Sequence, residues 1–181
     1  TPLFLAARQS HANVVKMLIK NGADVNQARN DGATSLYVAA QNGHAEMVSM
    51  LVDKGANVNQ ATNKGTTPLC AAAQNGDAEM VSVLVDKGAD MSQARNDGVT
   101  PLFAAAQEGH VKVVSVLVDH GADINQTNNN GATPLFVAAQ NGHVEVVSVL
   151  VDRGADINQA NNEGAISLFV AAQNGHVEVV S

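Results

Sequence analysis

Between residues 133 and 165 the apolar positions fall into two runs of helical phase, separated by polar turns that contain glycine. In the first run Leu135, Ala138 and Ala139 are spaced for one helix face and are small enough to admit a close neighbour. Thr133 can accept from a backbone amide of the first turn, and Pro134 fits the first helical position, where its missing N–H has no partner to lose. Gly142 then supplies the left-handed residue that ends the helix. The second run, HVEVVSVLVDR, is rich in valine and invites a strand reading. Its period decides otherwise: Val147, Leu150 and Val151 follow i, i+3, i+4 with Val146 beside them, and Gly154 stands where a helix terminates. Valine lowers intrinsic helix propensity, so this helix must draw its stability from packing. The polar stretch ADINQANNEGA returns the chain through a protruding β-turn or hairpin finger.

Two helices of roughly 8 to 11 residues are marginal alone. The chain answers by repeating them every thirty-three residues without insertion: TPLFLAARQSH at 1, TSLYVAAQNGH at 34, TPLCAAAQNGD at 67, TPLFAAAQEGH at 100, TPLFVAAQNGH at 133 and ISLFVAAQNGH at 166. Such a period means units that bury their apolar faces only against each other. The expected fold is an all-α solenoid of stacked helix-turn-helix units with protruding fingers. It forms one domain, 1–181, with units 1–33, 34–66, 67–99, 100–132 and 133–165 and a partial unit 166–181.

Composition narrows the function. A formal net charge of −7, with ten scattered Lys and Arg residues, argues against a nucleic-acid surface. No apolar run reaches the roughly 18 residues of a spanning helix, so membrane insertion is not expected. The single cysteine permits no internal disulfide and favours a reduced, intracellular and cytoplasmic setting. All five aromatic residues, Phe4, Tyr37, Phe103, Phe136 and Phe169, share one phase of the repeat with Cys70, which marks a structural slot rather than a cofactor site.

The pattern TPLF-x-AA-x-x-GH-x-x-VV-x-x-LV-x-x-GADIN, agreeing in phase over five full periods, resembles the ankyrin repeat with its T-P-L-H-x-A signature. The resemblance covers the whole chain, which reads as a segment of a longer array or as a consensus-like design. Three departures stand out. The family's histidine after T-P-L is replaced by the aromatic or Cys70 slot, Ser10 stands for the helix-ending glycine, and Ile166 stands for the capping threonine; the last two each cost about 1 kcal/mol locally.

Candidate chemistry dissolves on comparison between units. His11, His44, His110, His143 and His176 recur at one phase, but rungs about 8 to 10 Å apart do not converge on one metal ion; a structural role in the turn is expected. Ser115, Asp119 and His120 are nucleophile, base and orienter types, yet Lys54, Lys87 and Arg153 occupy the place of His120 elsewhere, so the slot reads as a solvated helix end. No catalysis, metal or cofactor is expected. The resemblance also implies an asparagine hydroxylase as a modifying enzyme, whose preference for a leucine eight residues before and an acid two before is met at Asn26, Asn125 and Asn158.

What the resemblance implies about partners is a concave surface of fingers and first helices that binds a protein or peptide. There Asn30, Asn63, Asn96, Asn129 and Asn162 form one neutral row, and Gln41, Gln74, Gln107, Gln140 and Gln173 another. Charge breaks the monotony at Arg29, Asp31, Lys64, Arg95 and Asp97 in the first three fingers and at Arg8 and Glu108 on the first helices, so partner specificity is expected N-terminally. The rival reading is a structural spacer or elastic array without a cognate ligand. The apolar ends, with Leu3 and the first alanine pair at one and Val177, Val179 and Val180 at the other, predict weak end-to-end self-association.

Overall fold

The computed structural model describes residues 1–180; Ser181, the last residue of the expected partial unit, lies outside them. Twelve helices and no strand occur among the described residues. They alternate short and long: α1 (Pro2–Arg8) and α2 (Ala12–Lys20), α3 (Ser35–Gln41) and α4 (Ala45–Asp53), α5 (Pro68–Gln74) and α6 (Ala78–Asp86), α7 (Pro101–Gln107) and α8 (Val111–Asp119), α9 (Pro134–Gln140) and α10 (Val144–Asp152), then α11 (Ser167–Gln173) and α12 (Val177–Val180). Each short helix packs against the short helices before and after it, and the long helices from α4 onward pack against their long neighbours.

Local chemistry sets the boundaries. The side chains of Thr1, Thr34, Thr67, Thr100 and Thr133 each accept from the backbone N–H three residues on, at 3.1–3.2 Å. Ile166 has no side-chain acceptor, and the N–H of Phe169 turns instead to the Ile166 carbonyl at 3.1 Å. Ser10 is held at φ 55°, in the left-handed region where every equivalent residue is glycine, so that departure is strained, whereas Ile166 keeps the extended backbone of the capping threonines and loses only the cap bond.

The core runs unbroken along the stack. Alanine pairs such as Ala105 and Ala106 are fully buried, letting the short helices approach, and Leu117, Val113 and Val114 seal the long-helix layer. In the fifth unit Val146 and Leu150 are buried and Val147 is half-buried, but Val151 is 38% exposed, because α12 is too short to reach it. The ends correct the expectation in detail: Leu3, Ala6 and Ala7 are buried against the second unit, and the open apolar positions there are Leu5, Val14 and Met17. At the other end Val177 and Val180 are exposed as expected, joined by Leu168 and Phe169, with Val179 half-buried.

Candidate protein-interaction face

Each finger is a single β-turn rather than a stranded hairpin. In the first, the Gly32 N–H donates to the Arg29 carbonyl at 2.9 Å and the Arg29 N–H donates to the Ala33 carbonyl at 3.0 Å. The Asp31 carboxylate braces the turn by accepting from the Ala33 N–H at 3.1 Å; where Lys64, Asn130 or Glu163 replaces the aspartate, Thr62, Asn128 and Asn161 brace it from two residues earlier.

The asparagine row at the finger tips is engaged between units. The side-chain amides of Asn63, Asn96, Asn129 and Asn162 each donate to the backbone carbonyl of the asparagine one unit earlier, at 2.7–3.1 Å. Their backbone N–H groups donate in parallel to the carbonyls of Asp31, Lys64, Asp97 and Asn130 at 2.9–3.1 Å. The result is a ladder of paired hydrogen bonds joining finger to finger, and it corrects the reading of these amides as free donors and acceptors. The ladder needs glycine beneath it: a Cβ on Gly98, at φ +81°, would lie 2.5 Å from the Asn129 nitrogen.

A second tie joins the short-helix ends. Nε2 of His44, His110, His143 and His176 donates to the backbone carbonyls of Arg8, Gln74, Gln107 and Gln140 at 2.9–3.0 Å, a geometry that fixes the proton on Nε2 because a carbonyl can only accept. Asp77, in the third unit, instead caps its own helix by accepting from the Met80 N–H at 2.9 Å, while Asn75 donates to the Gln41 carbonyl in place of a histidine. On the opposite, long-helix side, Lys87 meets Asp53 at 2.9 Å and Arg153 meets Asp119, linking consecutive units.

With the rungs removed from consideration, the charged exceptions remain. Arg29 lies 3.4 Å from Asp31 and stacks 4.8 Å from the centroid of Phe4; Arg95 lies 2.8 Å from Asp97. A groove of about 550 Å³ gathers Arg8, Arg29, Asp31 and Lys64. Arg95 sits beside it, close enough to act on the Tyr37 phenol, whose pKa is raised chiefly by burial. Glu108 is exposed at the end of α7 and lines neither this groove nor the larger one. That larger groove, about 960 Å³, spans the C-terminal units over Phe136, Val137, Phe169 and the side chains of Gln140 and Asn129, with Asp97 and Glu163 at its rim. Sequence reasoning missed it by weighing charge alone; the signal was Val137, an apolar residue in place of Ala104 in two otherwise near-identical units.

Asp119 is taken by Arg153, and His120 Nδ1 donates to the Val116 carbonyl at 2.7 Å, so the Ser115 constellation does not form. Cys70 is buried in the aromatic slot, and burial pushes its thiol up to about 11, far from thiolate at neutral pH. No group of three or more His, Cys, Asp or Glu side chains that could hold a metal ion occurs among the described residues. Asn26 and Asn125 are engaged across units, their Oδ1 atoms accepting from the Asn57 and Asp156 N–H groups at 2.7 and 3.0 Å, whereas Asn158 is exposed.

The family model for ankyrin repeats matches three times, over residues 1–62, 57–128 and 123–181. The chain is a member of the ankyrin repeat family. No curated protein matches it. Ankyrin repeats are in general protein-interaction modules and are typically non-catalytic. Among the described residues no helix of this ankyrin repeat chain is long and apolar enough to cross a membrane.

Proposed function

We propose that the chain is one protein-interaction domain, 1–181, that binds a protein or extended peptide on the face formed by fingers and short helices, without catalysis, cofactor or nucleic acid, in a cytoplasmic setting. The observation that carries the reading is the division of labour on that face. The near-invariant residues of each unit are consumed in holding neighbouring fingers together, while the variable ones, Arg8, Arg29, Asp31, Lys64, Arg95, Asp97 and Glu108, project from the same backbone into or beside open grooves. A spacer has no use for such grooves. The experiment is a comparative pull-down: replacing Arg29, Lys64 and Arg95 by Asn should abolish capture of the bound protein, while replacing Glu46, Glu79 and Glu145 on the long helices should not. Equal capture by all three forms sinks the reading and favours the spacer.

Two subsidiary proposals go with it. The apolar positions open at the two ends, Met17 at 58% and Val177 at 74% exposure, support weak end-to-end self-association, which a clean monomer in sedimentation at about 100 µM would remove. Among Asn26, Asn125 and Asn158, hydroxylation is favoured at Asn158, the exposed one; a mass gain of one oxygen located at Asn26 instead would show that the inter-unit bonds give no protection.

A further inference from the structure

Charge on the finger and short-helix face is unevenly divided. At the finger tips and short-helix ends the first three units carry Arg8, Arg29, Lys64 and Arg95 against Asp31 and Asp97, with Asp24 and Asp90 at the finger bases, whereas beyond residue 100 the same places carry only acids, Glu108 and Glu163 with Asp123 and Asp156 at the bases. A chain of formal net charge −7 thus keeps one groove lined by three cations, Arg8, Arg29 and Lys64, against the single acid Asp31. Asp31 and Asp97 already have cations at 3.4 and 2.8 Å, while Arg8 and Lys64 make no ion pair among the described residues.

The smaller groove adds shape and donors to this charge. Arg29 stacks on Phe4 and shares its charge with Asp31 at 3.4 Å, so Arg8 and Lys64 are the cations left for a partner. Tyr37, neutral at pH 7 like any phenol, can offer a phenolic O–H. The walls therefore present the Arg8 guanidinium, the Lys64 ammonium and the half-buried Tyr37 beside the Arg29–Asp31 pair.

We infer that this groove binds an acidic, extended segment of a partner protein, its carboxylates set against Arg8 and Lys64, with Arg29 shared between Asp31 and the partner, and an apolar side chain laid against the half-buried Tyr37; the inference rests on the interaction-face reading above. Arg8, which makes no ion pair among the described residues, offers a free guanidinium fork, the geometry best suited to bidentate pairing. Nucleic acid is the poorer fit. Asp31 and Asp97 flank Lys64 on the adjacent fingers and interrupt any continuous cationic track, and Phe4, at 5% exposure, has no open face for a base to stack on.

The test is selection of short random peptides displayed on phage against the immobilised chain, in parallel with the exposed-residue variant R8E/R29E/K64E and the milder R8Q/K64Q, both checked for native helical circular dichroism. Peptides enriched on the wild type should carry Asp or Glu beside aliphatic or aromatic residues. Synthesised singly, they should bind R8E/R29E/K64E at least about tenfold more weakly and lose affinity several-fold as salt rises from about 50 to 300 mM; R8Q/K64Q should show a smaller loss of the same sign. Enrichment of neutral or basic peptides that both variants still bind would overturn the inference while leaving an interaction face in place. No enrichment on any form would overturn both, and single-stranded DNA that binds with the same sensitivity to R8E/R29E/K64E would assign the groove to nucleic acid instead.

Discussion

Replacing Ser35 by proline should stabilise the whole array. Ser35 opens α3 at the position held in other units by the buried prolines Pro68, Pro101 and Pro134, it is 1% exposed, and its hydroxyl is buried without a hydrogen-bond partner. Burying an unpaired hydroxyl costs about 1–3 kcal/mol. Proline removes that cost, loses no helical bond at the first position, and reduces the freedom of the unfolded chain by about 0.4–1 kcal/mol. It also restricts the residue before it to extended backbone. Thr34 is already there, at φ −95° and ψ 170°, close to Thr67 and Thr100, which precede prolines. The gain should therefore be about 1.4–4 kcal/mol, which for a chain of this length raises the thermal midpoint by about 3–16 °C. Urea unfolding followed by circular dichroism, with Ser35→Ala beside it, separates the parts: alanine should recover the hydroxyl's share and proline should exceed it. A Ser35→Pro chain no more stable than the wild type would refute the reasoning, since ring, backbone and cavity are all supplied by the units on either side.

Leu117→Ala, at a fully buried position, should cost about 2–5 kcal/mol through the cavity it opens, whereas deleting residues 100–132 entirely should leave a shorter stack with helical circular dichroism and a lower midpoint. Gly98→Ala should destabilise clearly more than Gly88→Ala: both glycines have positive φ, but a Cβ on Gly88 meets nothing within 4 Å while one on Gly98 strikes the Asn129 rung, so equal denaturation midpoints would dismiss the ladder as unimportant. His110→Ala should cost about 0.5–1.5 kcal/mol by releasing the Gln74 carbonyl, and should not alter zinc content measured by atomic absorption. Cys70 should resist a thiol reagent at pH 8 and react only as the array opens, so rapid native-state labelling would contradict its burial in the aromatic slot.

Much of the fold was written in local signals. A threonine before proline, alanine pairs at helical spacing and glycine after each run set the helix ends within a residue or two, because caps and left-handed turns are decided by neighbours in sequence. The helices are 7 and 9 residues long rather than up to 11 for the same reason: the glycine fixes the end, but the residue before it has already left the helix as the cap. The ties at His110 and Asn129 were harder to read, since they span 36 and 33 residues and depend on the stacking register. Yet the internal repetition carried a usable hint. Asn30, Asn63, Asn96, Asn129 and Asn162 never vary among units, while the residue after each does, as Asp31, Lys64, Asp97, Asn130 and Glu163. Constancy between copies within one chain marked the structural position. Leu3 was misplaced at the open end because the pattern reveals which residues are apolar and not which side of the first helix the second unit covers.

The acceptors of the finger-tip rungs and of the histidine ties are all main-chain oxygens. The carbonyls of Asp31, Lys64, Asp97 and Asn130 receive the same bond at 2.9–3.1 Å although their side chains are acidic, basic, acidic and neutral, and those of Arg8 and Gln74 likewise receive a histidine at 2.9–3.0 Å whatever their own side chain. Every residue type has a backbone carbonyl, so the outward group at these sites can be exchanged without loosening the stack. Selection could rewrite what such a face recognises, one residue at a time, while leaving the means by which the protein stays folded untouched.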